Sequence, residues 1–414
     1  MSLYKIMQTL TDEGSLSVHI TGLLNEPISD ASIEISFTGD PDNIIEDIST
    51  DENGISESVV LPAPPVSNSL APDIVEPYSE YNIIIRKNGY LPQSINGVNI
   101  FSGIESYLPI TLFKEESRTS QVSIIGPNTL YGNYPSKIPE SEIKPITNSG
   151  EIVLQSVIVP ETVVVHDGVP TDSTATNYYV PFPDYIKNVA CSEIYPTWPE
   201  ETIKANVYAI ISFTLNRVYT EWYRNKGYNF TITSSTAFDH KWINNRNIFD
   251  NISLIVDEIF TDYIAKPNIR QPLLTQYCDG KKTTCSGMSQ WGSKYLGDEN
   301  YSAIEILRKY YGSNVYINTA ESVEGIPMSW PGYSLEIGSY GDAVRIIQEQ
   351  LVTIRETYSN IPALEIDGIY GENTAAAVSK FQQIFNLPVT GEVDYKTWYK
   401  ISQLYVALEK LISA

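Results

Sequence analysis

Apolar and polar residues alternate with a period of two over much of the first hundred positions, as in Leu16-Ser-Val-His-Ile20 and Ile33-Glu-Ile-Ser-Phe37. Such alternation turns one face of a strand toward a core and the other toward solvent. Turn chemistry separates the runs, notably Asn25-Glu-Pro and Thr50-Asp-Glu-Asn-Gly54. Residues from about 14 to 113 are therefore expected to be all-β, with His19 on a solvent-facing position. Proline and glycine then interrupt any continuous element, at Gly126-Pro-Asn, Tyr134-Pro-Ser, Pro139, Pro145 and Asn148-Ser-Gly150. That density predicts a linker. A strand signal returns over Glu151–Pro160 and Glu161–His166.

From Tyr179 to Asn318 the pattern becomes mixed α/β. Thr197 is a candidate helix cap, with Pro199 near the first turn and Glu200 three residues on. Ile203, Val207, Ile210, Ile211, Leu215 and Val218 follow at helical intervals, which predicts a buried helix. Past a second linker, Gly338, Gly341, Gly368, Gly371 and Gly391 punctuate turns. Between them Val344, Ile347, Leu351, Val378 and Phe381 keep helical spacing, so the end of the chain reads as a compact helical module. The expected divisions are 1–114, a linker over 115–160, 161–320, a short linker over 321–332, and 333–414.

At 414 residues the chain is long enough for two to four domains. Its 27 Lys and Arg against 50 Asp and Glu give a net charge of −23. That balance excludes the basic footprint of a nucleic-acid binder and opposes docking by charge on an anionic membrane. No run approaches the roughly 18 apolar residues of a membrane span. The opening Met-Ser-Leu-Tyr-Lys-Ile-Met-Gln-Thr-Leu has no apolar core or small-residue cleavage site, so no conventional secretory signal peptide is expected. Three cysteines cannot all pair within one molecule. Cys278 and Cys285 are close enough for a small loop disulfide, and reduced thiols remain equally open.

The residue that draws attention chemically is Glu193, ahead of the buried helix and beside Cys191, Ile194 and Tyr195. Desolvation disfavours a carboxylate and raises its pKa toward the range of a general acid. His166 heads a turn without a paired ligand spacing, and His240 has no thiols near it. No metal and no cofactor are expected.

Cys285-Ser-Gly-Met-Ser-Gln-Trp-Gly-Ser-Lys-Tyr-Leu-Gly297, running into Ile304-Glu-Ile-Leu-Arg-Lys-Tyr-Tyr-Gly312, resembles the C-terminal signature of the SpoIID (stage II sporulation protein D) type of lytic transglycosylase. Glu193-Ile-Tyr-Pro196 and Glu201-Thr-Ile-Lys-Ala-Asn206 are similar to that family's Glu-Met-Pro turn and Glu-Ala-Leu-Lys-Ala-Gln helix. Tyr277-Cys-Asp-Gly280 resembles its Tyr-x-Ser-x-Gly cleft region. The resemblance implies that Glu193 is the catalytic acid/base and that Lys204, Tyr277, Ser289 and Gln290 meet the glycan. The chain departs from the family at Ile211, where an arginine is usual, and in the short distance between Tyr277 and the Ser-Gln turn.

The N-terminal part, through Asn25–Ile33, Thr50–Gly54, Tyr81–Tyr90 and Gly97–Ile100, resembles a carboxypeptidase-regulatory-like sandwich. Leu335–Leu351, Asp367–Thr374, Ala377–Gln382 and Leu387–Asp394, with Thr397-Trp398, resemble the peptidoglycan-binding type 1 domain, a three-helix bundle. The implied fold class is thus multidomain: an all-β sandwich, an α/β lytic transglycosylase domain and a helical peptidoglycan-binding bundle. This order resembles that of spore cortex-lytic enzymes. It implies spore cortex peptidoglycan as substrate during germination, a location in the cortex or coat region, and a zymogen opened by a subtilisin-like protease. The cut is expected within 148–159, at Gln155-Ser156. Relatives that bind wall and stimulate an amidase without cutting glycan supply the alternative.

Overall fold

The computed structural model describes residues 11–23, 25–72, 75–115, 121–144, 154, 156–326, 328 and 330–412. The chain is multidomain and mixed α/β, with a helical C-terminal region. Its first part is two sheets. One contains β1 (Asp12–Thr21), β4 (Val59–Ala63) and β7 (Glu105–Thr111). The other contains β2 (Ser32–Phe37), β3 (Asp40–Ser49), β5 (Ser79–Arg86), β6 (Gln93–Ile100) and β8 (Gln121–Ile124), in the order β3-β2-β5-β6-β8. The period-two positions meet between them: Leu16, Val18 and Ile20 pack with Ile33, Ile35, Ile83, Ile85 and Leu108 in one core. His19 does not face solvent as expected. Its ring stacks on Tyr107 with centroids 4.9 Å apart, and burial pushes its pKa down to about 4. The outer face of this sheet is covered by the rest of the chain, with Trp242, Lys187 and Lys400 around the same cavity.

The central part opens with β9 (Ile158–Val159), β10 (Thr162–His166) and β11 (Asn177–Pro181). Helix α1 (Phe182–Glu193) and helix α2 (Glu200–Tyr219) follow. Next come β12 (Ile232–Thr233), β13 (Ile248–Phe249), α3 (Asp250–Ile259) and β14 (Asp262–Ala265). The part ends with β15 (Tyr277–Cys278), β16 (Met288–Ser289), α4 (Gln290–Asp298), α5 (Ala303–Tyr311), β17 (Tyr316–Thr319) and β18 (Ser322–Val323). Helix α2 is buried as its spacing predicts, with Ile203, Val207, Ile210, Ile211 and Leu215 all inside. Its cap differs: Pro199 holds that position and the helix starts at Glu200. The Thr197 hydroxyl instead donates to Ser69 Oγ at 2.7 Å, and Trp198 Nε1 donates to the Ser69 carbonyl at 3.0 Å. Both bonds tie the central part to the sandwich. Strand β13 does the same, pairing antiparallel with β7.

The linker expected over 115–160 is only in part a spacer. Strand β8 joins the sandwich beside β6, and residues 126–144 form a strap across the central part. Its proline-rich backbone cannot join a regular ladder, so its polar groups find partners one by one. The Ile138 amide donates to the Ala237 carbonyl at 2.8 Å, and Gln276 Nε2 donates to the Ile138 carbonyl at 2.8 Å. Leu274 donates to the Glu142 carbonyl at 2.9 Å. The second linker also contains structure, because β18 pairs parallel with β9.

Helices α6 (Asp342–Thr357), α7 (Glu372–Ile384) and α8 (Tyr395–Ile412) form the C-terminal unit around Val344, Leu351, Phe381 and Trp398. This unit touches both other parts. Tyr358 donates to the Asn25 carbonyl at 3.0 Å, and Lys396 lies 3.7 Å from Glu258. Among the described residues no helix is long and apolar enough to cross a membrane.

Candidate active site

Glu193 is the last residue of α1, not a turn residue ahead of a cap, and is 3% exposed. The helix ends there because Ile194 turns extended while its amide still donates to the Ala190 carbonyl. The Lys241 amide donates to Glu193 Oε1 at 2.7 Å. Gln290 Nε2 donates to Oε2 at 3.4 Å and to the Glu193 carbonyl at 3.2 Å. Burial raises the carboxyl's pKa, against the opposing pull of the Lys137 ammonium and of these donors. A buried acid with two donors on its oxygens is equipped both to give a proton and to take one back.

Tyr277 and Gln290, expected at the site from sequence, are beside Glu193. Tyr277 is 1% exposed and interacts with the carboxyl, although no hydrogen bond closes on its hydroxyl. Ser289 is adjacent but engaged otherwise: its Oγ caps α4 by accepting from the Gly292 amide at 2.9 Å. Lys204 pairs with Glu200 at 2.7 Å and Glu201 at 3.8 Å on its own helix. Trp291 is core, tilted against Trp198 with centroids 5.0 Å apart. Cys278 and Cys285 are joined in a disulfide that closes the loop beside the site.

Three residues around Glu193 and Tyr277 were not read from the sequence as part of this cluster. Lys137 comes from the strap. Its ammonium lies 4.7 Å from the Tyr277 ring centroid and donates to the Asp239 carbonyl. Burial lowers its pKa and Glu193 opposes that shift. His240 stacks on Tyr277 with centroids 5.7 Å apart, and its Nδ1 is 3.1 Å from the Tyr185 hydroxyl. Burial holds its pKa well below the ordinary value, so the ring is neutral. No group of three potential metal ligands occurs among the described residues. Lys241, the third, contributes through its backbone, which no side-chain pattern reveals.

The strap closes over this cluster. Thr129 Oγ1 donates to the Glu193 carbonyl at 3.0 Å, and Asn128 Nδ2 donates to the carbonyls of Cys191 and Ile194 at 3.3 and 3.2 Å. Lys282, in the disulfide loop, donates to the Tyr131 carbonyl at 2.8 Å. Arg217 is the anchor. Its guanidinium donates to Asp239 at 2.7 Å and in bidentate fashion to strap Glu140 at 2.8 and 2.7 Å. Asp239 also accepts from Tyr223 and Thr233. Arg217→Met is expected to cost about 3–5 kcal/mol, because it strands a buried carboxylate. Urea unfolding of the intact chain measures it, and a loss below about 1 kcal/mol would show that the network is not an anchor.

Gln155 lies outside the described residues. Ser156 is half-buried, while Val157 and Val159 are buried against the central part. A protease needs extended, accessible chain, and Val157 and Val159 do not offer it.

Residues 340–401 match the peptidoglycan binding domain family. The match covers much of the helical C-terminal unit and gives the chain a cell-wall-related role. No curated protein matches the chain. Among solved structures, the SleB N-terminal domain is 26% identical, covering 19% of this chain and 99% of its own, with a TM-score of 0.17. The Bacillus anthracis TIE protein is 16% identical over 25% of this chain and 17% of its own, with a TM-score of 0.18. Likenesses of that size carry no functional weight here. The chain is a multidomain protein with a peptidoglycan-binding domain at residues 340–401.

Proposed function

We propose that this chain is a peptidoglycan lytic transglycosylase zymogen, of the spore cortex-lytic kind called SleC, that degrades cortex glycan during germination. The observation that carries the reading is a buried carboxyl, Glu193, held between Gln290 and the Lys241 amide and covered by the strap. Protonated Glu193 donates to the oxygen joining N-acetylmuramic acid C1 to N-acetylglucosamine, and the C1–O bond breaks. The resulting carboxylate takes the proton from the muramic acid C6 hydroxyl as that oxygen bonds to C1. A 1,6-anhydro ring closes and Glu193 is protonated again. Ordinary glycosidases need a second carboxylate to direct water or form an ester. An internal hydroxyl makes that group unnecessary, because proximity supplies the nucleophile.

In the intact chain the strap blocks this chemistry by covering the buried carboxyl. A subtilisin-like protease cutting within 148–159 separates strap and sandwich from the rest of the covalent chain. Edman sequencing of the germination product tests this: an N-terminus in that window supports it, and one inside 14–113 rejects it.

A second reading is an amidase enhancer that binds wall without cutting. It is favoured by the near-complete burial of Glu193 and by Ile211 in place of the family's arginine. Released stem peptides from an otherwise intact glycan would support it.

A further inference from the structure

Residues 279–286, between β15 and β16, contain no helix or strand. The Cys278–Cys285 disulfide closes this loop. Within it, Asp279 Oδ1 accepts from the Lys281, Lys282 and Thr283 amides at 2.6, 2.8 and 3.0 Å. Its grip on the strap is Lys282, whose Nζ donates to the carbonyls of Tyr131 and Gly132 at 2.8 and 3.3 Å. That stretch of strap lies just beyond Thr129, which bonds the Glu193 carbonyl. The Tyr131 ring also packs edge-on against Tyr78 of the sandwich, with centroids 6.0 Å apart. Cys278 is nearly buried, whereas Cys285 is exposed, so a dissolved thiol meets the Cys285 sulfur first. Cys191 is a free thiol, but it is buried.

We propose that this disulfide is a thiol-sensitive clamp, which holds the loop, and through Lys282 the strap, closed beside Glu193. The clamp rests on these contacts alone; its effect on activity rests on the transglycosylase reading. In the switching step a thiolate of a dithiol attacks Cys285 Sγ, and Cys278 Sγ leaves as a thiolate that takes a proton from water. The second thiol of the reagent then displaces Cys285 Sγ. The protein gains two thiols, and the reagent, oxidised by two electrons, becomes a cyclic disulfide. The cross-link limits the freedom of an otherwise irregular loop. Once it is cut, keeping Lys282 on the strap carbonyls costs more chain entropy, and the contact weakens. The site itself should persist. The Met288 amide donates to the Gln276 carbonyl at 3.0 Å and β15 pairs with β16, so Tyr277 and Gln290 are placed without the disulfide. The far end of the strap keeps its own anchor, Arg217 on Glu140.

Hydrogen exchange of the intact chain, read by mass spectrometry with and without dithiothreitol, tests the clamp. The Tyr131 and Gly132 amides donate to the Asn128 carbonyl, and reduction should speed their exchange about fivefold while 138–142 stays unchanged. Lys282→Ala, an exposed substitution that leaves the disulfide in place, should exchange fast at 129–132 before any reductant is added and respond little to it. The double variant Cys278→Ser, Cys285→Ser should behave alike. Equal exchange at 129–132 in the oxidised and reduced chains would overturn the proposal. So would a reductant effect that Lys282→Ala fails to reproduce, or one spread over the whole chain, as for a bond that only staples the fold. Three titratable thiols in the untreated, unfolded chain would overturn it as well. A clamp that opens as described in a chain that cuts no glycan, intact or nicked, would reject the transglycosylase and leave the clamp standing.

Discussion

Glu193→Gln is expected to lower glycan cleavage by the nicked chain about a thousandfold, within the range of roughly 10²–10⁴ that a single acid/base group supplies. The fold should survive. The amide oxygen still accepts from the Lys241 N–H, and the substitution takes a carboxyl out of a site where burial already disfavours its charge. Retention on insoluble peptidoglycan should be unchanged, because it depends on residues 340–401. The pH profile adds an independent sign. A general acid works while protonated, so wild-type activity of the nicked chain should decline as pH rises through the Glu193 pKa. Circular dichroism, sedimentation with wall and a turnover assay separate these effects. A variant that folds, binds and still cuts at more than a tenth of the wild-type rate would remove Glu193 from the mechanism.

The second large effect concerns the strap. Cutting within 148–159 and dissociating the N-terminal fragment should raise activity at least about a hundredfold, if the intact chain opens in under about 1% of molecules. Activation should lag behind cleavage, since the strap is still held by non-covalent bonds to Arg217, Lys282 and the Glu193 carbonyl. Acid should help release it. Burial raises the Glu140 pKa, but Arg217 and Lys144 outweigh it and hold the carboxyl at about 2. A depressed carboxylate contributes stability above its unfolded value and loses it as pH falls. Strap attachment should therefore weaken as pH drops from 4.5 toward about 2. Size-exclusion chromatography of the nicked chain across that range, with activity then read at neutral pH, measures release. A nicked chain whose activity appears at full size and in step with cleavage would contradict this account of the strap.

What the sequence disclosed depends on the kind of interaction. The sandwich strands and α2 were legible because alternating Leu16, Val18 and Ile20, and helically spaced Ile203, Val207 and Ile210, report burial directly. Glu193, Tyr277 and Gln290 were legible as a set through short motifs, and the structure brings them together. The strap was not. A proline-rich stretch that makes bonds one at a time with distant residues has the composition of a linker, and only the partners show otherwise. His19 was misread because period two identifies the outer face of a strand, not whether another domain covers it. Lys204 fits its motif, yet an i,i+4 carboxylate claims its charge. Ser289 likewise fits, and serves as a helix cap.

The central claim is that one buried carboxyl moves a single proton out to, and back from, a glycan strand. Mass spectrometry of muropeptides from purified spore cortex, digested by the full chain after nicking and strap release, tests it most directly. The account predicts 1,6-anhydro-muramic ends, absent from the digest made with Glu193→Gln. Reducing muramic ends formed by water, or an intact glycan, would contradict it.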